Sequence, residues 1–125
     1  MKKKGFSLLE LLVSIGIISV LLAAGVSSYS TAQKKARDAR RKGDLKNLQQ
    51  SLEQYYSICG YQYPANPLTP PVACTTPPTV NLLPTVPVDP KTGAAYTCSG
   101  CSTSGYTICP VITEIDSISC ISNQQ

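Results

Sequence analysis

The stretch that decides the fold lies at residues 5–26 and reads GFSLLELLVSIGIISVLLAAGV. Leucine, isoleucine, valine and alanine dominate it, and no charged residue occurs at positions 11–33. A helix rises about 1.5 Å per residue, so this uncharged segment is long enough to cross a hydrocarbon core of about 30 Å. The segment therefore predicts a membrane-spanning helix.

One carboxylate, Glu10, stands at the start of the apolar run. A charge in lipid is costly, so an ionisable residue in a membrane segment is first interpreted as functional and needs a partner. The competing interpretation is an ordinary secretory signal peptide, because three lysines precede the run and small residues occupy positions 23–25. Against it, the helix-forming pattern continues past that supposed cleavage site without a break.

Proline and cysteine divide the chain near Tyr56, because all ten prolines and all six cysteines follow it. The part after Tyr56 is small enough to need covalent staples in addition to a hydrophobic core. Six cysteines indicate an exported protein in an oxidising compartment, and structural disulfides are the favoured interpretation. Cys98-Ser-Gly-Cys101 also has the C-x-x-C spacing of a zinc site or a redox pair, without the surroundings that either requires.

A basic collar, residues 34–46, joins the apolar run to the second half of the chain. It holds seven of the eleven Lys and Arg residues, with Asp38 and Asp44. Such a band beside a membrane segment favours anionic lipid headgroups as its partner. Nucleic acid is the less favoured partner, because no aromatic residues are interleaved with the basic ones. The positive-inside rule would place this side in the cytoplasm, whereas the cysteines place it outside, and we follow the cysteines.

Residues 30–56 predict that the helix continues in amphipathic form, because strong helix formers dominate and proline is absent. The residues that cluster on one helical face are Leu45, Leu48, Leu52, Tyr55 and Tyr56. The same face carries Lys34, Arg37 and Arg41 nearer the N-terminus. We therefore expect the rest of the chain to pack on this helix only from about Leu45 onwards.

The chain after Tyr56 predicts a small sheet. Residues 61–90 are rich in proline, threonine and asparagine and predict a long exposed loop. Three short strands are predicted at residues 94–98, 105–112 and 117–121. Laid antiparallel on the leucine face of the helix, they make an α+β fold with one long N-terminal helix. No nucleophile with a base, paired catalytic carboxylates or phosphate loop is recognisable, and histidine is absent, so we do not expect an enzyme.

The lysines at positions 2–4 and the residues Gly5-Phe6-Ser7-Leu8-Leu9-Glu10 resemble the class III signal of type IV pilins and type II secretion pseudopilins. In that family a prepilin peptidase cuts after the glycine and methylates the new N-terminal phenylalanine. The resemblance implies cleavage between Gly5 and Phe6, with methylation at Phe6. It implies a pilin-like arrangement: a leader at residues 1–5, a long helix at 6–56 (6–28 transmembrane and filament core, 29–56 stalk and head-packing) and a disulfide-stapled β head at 57–125.

A second, looser resemblance covers residues 83–112, where Pro87-Val88-Asp89-Pro90 and Tyr96 are similar to the strand-entry region of the major pseudopilin. Two features of the family are missing, namely a proline partway along the membrane helix and an acidic calcium loop. Glu114 and Asp116 alone supply too few oxygens for calcium. We therefore expect neither a metal nor a cofactor.

The function implied by the resemblance is structural: a subunit made as a single-pass membrane precursor and then assembled into a pilus at the cell surface. The implied partners are further copies of the chain, the prepilin peptidase, the inner-membrane assembly platform and the lipid membrane before assembly. Cleavage exposes a cationic amine at Phe6, and we expect the Glu10 carboxylate of a neighbouring subunit to pair with it. The alternatives are a pseudopilin of a secretion or DNA-uptake apparatus, and a secreted or membrane-tethered binding domain.

Disulfide pairing is predicted from the last two strands. A tight turn at residues 114–115 places Cys109 opposite Cys120, at a separation that a disulfide spans. The pairs that remain are Cys59–Cys74 and Cys98–Cys101. A slip of one residue would move Cys109 and Cys120 to different faces, so the sequence leaves other pairings open.

Overall fold

The computed structural model describes residues 5–74 and 79–125, except for the side chain of Ser27. The elements in chain order are helix α1 (Leu8–Ile58) and strands β1 (Val72–Ala73), β2 (Asn81–Leu83), β3 (Thr97–Ser102), β4 (Gly105–Cys109) and β5 (Ile121–Ser122). The fold is α+β and pilin-like, with one long helix followed by small antiparallel sheets, which confirms the predicted class. The chain divides into two compact units, an N-terminal unit (Met1–Lys34) and a second unit (Lys35–Gln125).

The N-terminal unit consists of the first part of α1. An 18-residue window of it has a mean hydropathy of 2.4 and no buried residue, so the helix is long and apolar enough to cross a membrane. Two of its serines are compatible with an apolar surrounding because they bond within the helix. Ser14 and Ser19 each donate the side-chain hydroxyl to the carbonyl four residues earlier, at 2.7 Å.

The C-terminal end of α1 is fixed by a glycine. Gly60 has a φ of 81°, a left-handed conformation that residues with a Cβ avoid. The N–H of Tyr61 donates to the carbonyl of Tyr56 at 3.0 Å, and the N–H of Cys59 donates to the carbonyl of Tyr55 at 2.7 Å. The bond from Tyr61 is the long-range bond of a Schellman motif, which satisfies the last carbonyls and turns the chain away from the helix.

The core of the second unit forms between one face of α1 and the sheet of strands β3, β4 and β5. Leu45, Leu48 and Leu52 lie at helical spacing and are at most 2% exposed. The buried residues that complete the cluster are Tyr63, Val72, Tyr96, Tyr106 and Ile108. Burial stabilises such a leucine by about 1.5–3 kcal/mol, so the leucine face anchors the sheet as predicted.

The strands are antiparallel in the order β3-β4-β5, but their bounds differ from the predicted ones. The first predicted strand lies further along the chain, at Thr97–Ser102, and Ala95 forms only an isolated bridge with Val88. The second ends at Cys109, and the third is reduced to Ile121–Ser122. The predicted tight hairpin at residues 114–115 was therefore wrong, because residues 110–120 form an irregular segment.

The predicted exposed loop at residues 61–90 was also wrong in part. It contains the two-stranded antiparallel sheet of β1 and β2. Several of its side chains are buried, namely Tyr63, Pro67, Val72, Cys74 and Asp89. Proline content predicted irregular backbone correctly, but apolar side chains in irregular backbone still enter a core when the core has room for them.

The six cysteines are joined as Cys59–Cys74, Cys98–Cys101 and Cys109–Cys120. Strand register brings the last pair together, since Ile108 lies opposite Ile121 and the next step along both strands brings Cys109 to Cys120. The first pair ties the end of α1 to the residue after β1, with 5.6 Å between the Cα atoms. The second bridges a register shift within β3.

We predict that non-reducing peptide mapping of the oxidised protein recovers these three pairs. A peptide that links Cys59 to any cysteine but Cys74 contradicts the scheme, and the same digest after reduction is the control. Replacing both members of a pair by serine should cost roughly 1 kcal/mol more for Cys59–Cys74 than for Cys98–Cys101, since the closed loops span 15 and 3 residues.

Candidate functional site

The first candidate site is the segment before α1. Gly5 and Phe6 are not helical, and the Phe6 side chain is 81% exposed. The N–H of Leu11 donates to the carbonyl of Ser7 at 3.2 Å, so helical bonding begins at Ser7 and does not include Gly5 and Phe6. The peptide bond between Gly5 and Phe6 is therefore exposed and lies outside the helix. The lysines at positions 2–4 lie outside the described residues.

Glu10 lies in the first turn of α1, where the positive end of the helix dipole stabilises a carboxylate. Ser7 and Glu10 have the S-x-x-E spacing of a capping box, a signal that the sequence analysis missed. Among the described residues, the Glu10 carboxylate has no hydrogen-bond or ion-pair partner within the single chain.

A second, separate candidate site is an ion-pair cluster around Arg41 in the second unit. Arg41 and Asp38 lie on the core face of α1 and are both 0% exposed. The Arg41 Nε and Nη2 donate to the two oxygens of Asp89 at 2.6 and 3.2 Å, and its Nη1 donates to Asp38 Oδ1 at 2.7 Å. The second unit therefore packs on α1 from Asp38 onwards. The expected limit at Leu45 was wrong, because buried carboxylates neutralise the basic face.

Asp38 also organises residues 114–116. Its carboxylate accepts the backbone N–H of Ile115 at 2.8 Å, of Asp116 at 3.0 Å and of Glu114 at 3.2 Å. Burial would raise the pKa of Asp38, but the N–H groups of Asp116 and Ile115 and the Arg41 guanidinium outweigh burial and lower that pKa. The backbone N–H groups of residues 114–116 are bonded to this carboxylate, so these residues form a loop held by Asp38 in place of the predicted tight turn between two strands.

Asp89 holds a second loop. Its Oδ1 accepts the backbone N–H groups of Lys91 and Thr92 at 2.9 Å each, and the Thr92 hydroxyl at 3.1 Å. The bonds from Arg41 are the main reason that the pKa of Asp89 lies below its usual value. Gly93, with a φ of 70°, closes the turn by donating its N–H to the Asp89 carbonyl at 2.8 Å. Arg41 thus connects α1 to two separate loops.

Glu114 forms the outer edge of the cluster. Arg37 Nε donates to Glu114 Oε2 at 2.6 Å and Arg37 Nη2 donates to Glu114 Oε1 at 3.0 Å, while Lys91 Nζ lies 2.8 Å from Glu114 Oε1. These bonds, Arg37 first and Lys91 second, lower the pKa of Glu114 to about 2. Within the described part of the chain, no three His, Cys, Asp or Glu side chains are grouped as metal ligands.

We predict that acid unfolds the second unit only well below the ordinary carboxylate pKa. The pKa values of Asp38, Asp89 and Glu114 are lowered in the folded state. Their contribution to the free energy of unfolding is therefore complete above about pH 5, where the unfolded carboxylates are ionised too, and is lost progressively as the pH falls towards 2. Thermal unfolding followed by circular dichroism should show a plateau and then this decline. Asp116→Asn is the control, because that carboxylate is half exposed, and a decline that begins near neutral pH would contradict the assignment.

Residues 1–26 match the family model described as the prokaryotic N-terminal methylation motif. They are the class III signal of type IV pilins and pseudopilins. This signal belongs to structural pilin-type subunits and not to an enzyme family, and it implies processing by a prepilin peptidase. The signal and the apolar helix behind it fit a membrane-anchored precursor. No curated protein and no solved structure matches the chain.

A further polar centre in the second unit lies around Glu53. The Glu53 carboxylate accepts the hydroxyls of Tyr63 and Tyr106 at 3.0 and 3.1 Å and the backbone N–H of Gln124 at 3.0 Å. Burial, and to a smaller extent the hydrogen bond to Glu53, raise the pKa of Tyr63 to about 12. The sequence analysis missed this centre. An acid next to Leu52, on the edge of the leucine face, was the signal that could have found it.

The basic collar behind the signal divides into two groups. Arg37 and Arg41 are used inside the cluster, and Lys42 pairs with Asp116 at 3.1 Å. Four basic residues are exposed and engaged by no ion pair among the described residues, namely Lys34, Lys35, Arg40 and Lys46. The surface charge available to a lipid or a polyanion is therefore smaller than the sequence predicted.

Proposed function

We propose that the protein is a structural subunit of an extracellular type IV pilus-like filament. Prepilin peptidase cuts the precursor between Gly5 and Phe6 and methylates Phe6. The observation that carries the proposal is the class III signal joined directly to an apolar helix that the chain itself leaves uncovered. An apolar surface of this size is unfavourable in water, so lipid covers it before assembly and helices of other copies cover it afterwards.

Assembly on this proposal is directed by Glu10. Its carboxylate is exposed and without a partner among the described residues of its own chain, and cleavage creates a cationic amine at Phe6 of each copy. Pairing between two copies removes both charges from an apolar surrounding. The correct stagger of neighbouring helices is the one that satisfies this pair.

The second unit supports a location outside the cytoplasm. It holds three disulfides, which persist in oxidising compartments. Its cluster around Arg41 is held by groups that keep their charge from about pH 4 to neutrality and above. The proposed route is a single-pass membrane precursor that the inner-membrane assembly platform transfers to the cell surface.

A pseudopilin of a secretion or DNA-uptake apparatus is the second candidate. The observation that favours it is the loop Pro87-Val88-Asp89-Pro90, which resembles the major pseudopilin and in which Asp89 is buried against Arg41. Both candidates share cleavage, methylation and helix-directed assembly. They differ in the machinery that takes up the subunit.

Mass spectrometry of the native N-terminus tests the proposal. We expect a mature chain that begins with methylated Phe6, and an uncut precursor for Gly5→Leu, because the peptidase then meets a side chain where it requires none. Gly25→Leu is the matched control and should be processed normally, since nothing lies within 4 Å of a Cβ at either glycine. A mature chain that begins near Val26, and that Gly25→Leu prevents, would instead support a secreted binding domain.

A further inference from the structure

The second unit begins with two exposed cations of the basic collar. Lys35 and Arg40 are exposed, and no ion pair engages either of them within the described part of the chain. The two acids of the collar are already engaged elsewhere. Asp38 is buried in the ion-pair cluster, and Asp44 accepts a tyrosine hydroxyl at 2.9 Å. The two cations are therefore available to an anionic partner from outside the chain.

These cations follow the end of the apolar run directly. Residues 11–33 carry no charge, and Lys35 comes two positions later. Two residues of chain span at most about 7 Å, so connectivity alone keeps Lys35 close to the end of the run. Arg40 lies further along α1, at a rise of about 8 Å from Lys35. On the proposed function the run lies in lipid, so the long side chains of both residues reach the headgroups on the side of the second unit.

The directions of the side chains around α1 distinguish between the possible partners. Each residue turns the helix by about 100°, so Lys35 and Arg40 point about 140° apart. A partner on one side of the helix contacts only one of them, whereas lipid headgroups surround a helix that passes through their layer and contact both. Lys46 is exposed as well and lies within about 20° of Lys35, but about 16 Å further along α1. A linear polyanion laid along the helix would therefore contact Lys35 and Lys46 and would miss Arg40.

We propose that Lys35 and Arg40 bind the phosphate groups of anionic lipids in the leaflet on the side of the second unit. The guanidinium of Arg40 matches two phosphate oxygens, and the ammonium of Lys35 supplies a mobile point charge. A cation close to an anionic bilayer increases the affinity about fivefold. The inference rests on the proposed function, because it requires the apolar run to lie in a membrane. It adds the chemistry of the lipid that the precursor prefers before assembly.

The test uses the full chain in bicelles of phosphatidylcholine, to which phosphatidylglycerol is added in steps. We expect saturable changes in the amide chemical shifts of residues 35–40, and an apparent affinity that Lys35→Gln and Arg40→Gln each weaken about fivefold. Lys46→Gln is the matched control, because it removes the same charge at an exposed position about 9 Å beyond Arg40 and should leave the affinity unchanged. Near-ultraviolet circular dichroism of the tyrosines checks that each variant is folded.

Two further probes separate the lipid from other anions. Soluble glycerol phosphate should leave the shifts unchanged, and an equal response to it would show a site for free phosphate and overturn the proposal. An oligonucleotide that binds more tightly than the lipid, and that Lys46→Gln weakens while Arg40→Gln does not, would show a polyanion along the helix and overturn it too. An inserted chain that does not respond to phosphatidylglycerol refutes this inference alone. A chain whose apolar run stays outside the bicelle contradicts the proposed function as well.

Discussion

Replacement of Arg41 by alanine is expected to lower the free energy of unfolding of the second unit by about 3–5 kcal/mol. The substitution removes the counter-ion of Asp38 and Asp89, which are both fully buried. It also disconnects α1 from the loop at Asp89. Small domains have about 5–15 kcal/mol of stability in total, so this single loss brings the second unit close to unfolding.

The measurement is urea unfolding of the oxidised chain in neutral detergent, followed by near-ultraviolet circular dichroism of the tyrosines. Arg40→Ala is the matched control, because Arg40 is the neighbouring arginine on the exposed side of the same helix turn. It should change the stability by no more than about 0.5 kcal/mol. Arg41→Lys should lie between the two, because lysine keeps the charge and loses the bidentate geometry. Equal stability of the Arg41→Ala and Arg40→Ala proteins would show that the cluster contributes little.

Replacement of Glu10 by alanine is expected to abolish filament formation while cleavage after Gly5 continues. The substitution leaves the Phe6 amine of each neighbouring copy in an apolar surrounding without a partner. A buried charge that loses its partner costs several kcal/mol, and in a filament the cost recurs at every subunit. Processing should continue, because the Gly5–Phe6 bond is exposed and lies outside the helix.

Glu10→Gln separates the two roles that the structure allows for this side chain. Glutamine preserves the S-x-x-E/Q capping pattern with Ser7 but carries no charge. If Glu10 only caps the helix, the glutamine variant forms filaments; if Glu10 pairs with an amine, it does not. Electron microscopy of sheared filaments, together with an immunoblot for the cleaved subunit, gives both readouts. Normal filament yield from cleaved Glu10→Ala protein would contradict the pairing.

The parts of the fold that the sequence predicted are those that depend on local pattern. Three such patterns are local in the sequence: the uncharged apolar run, the leucine face at helical spacing and the short signal at Gly5-Phe6. The long helix and the core position of Leu45, Leu48 and Leu52 followed from them. The methylation motif could be recognised in the same way, because its residues are contiguous.

The parts that the sequence did not predict depend on partners far along the chain. Arg41 was expected to be exposed because it lies on a basic stretch of the helix face whose main counter-ions are far along the chain. Its carboxylate partner Asp89 lies 48 positions away, and Asp38 reaches Ile115 across 77 positions. Residues 117–121 have a strand-like composition, but β5 begins only at Ile121. The backbone N–H groups of residues 114–116 are bonded to Asp38, which holds the start of this segment away from β4. The i, i+3 spacing of Asp38 and Arg41 on the leucine face was the available hint.

The bonds from residues 114–116 to Asp38 have a consequence for how the surface of this protein can change. Asp38 contacts the main chain of Ile115, whose side chain points outward and is 43% exposed. Any residue except proline provides the same N–H, so the bond to Asp38 places almost no constraint on which amino acid stands at position 115. Mutations can accumulate at Ile115 while the anchor stays intact. An engineer who grafts a foreign epitope could therefore exchange this exposed side chain while the backbone bonds that hold the loop to α1 stay in place.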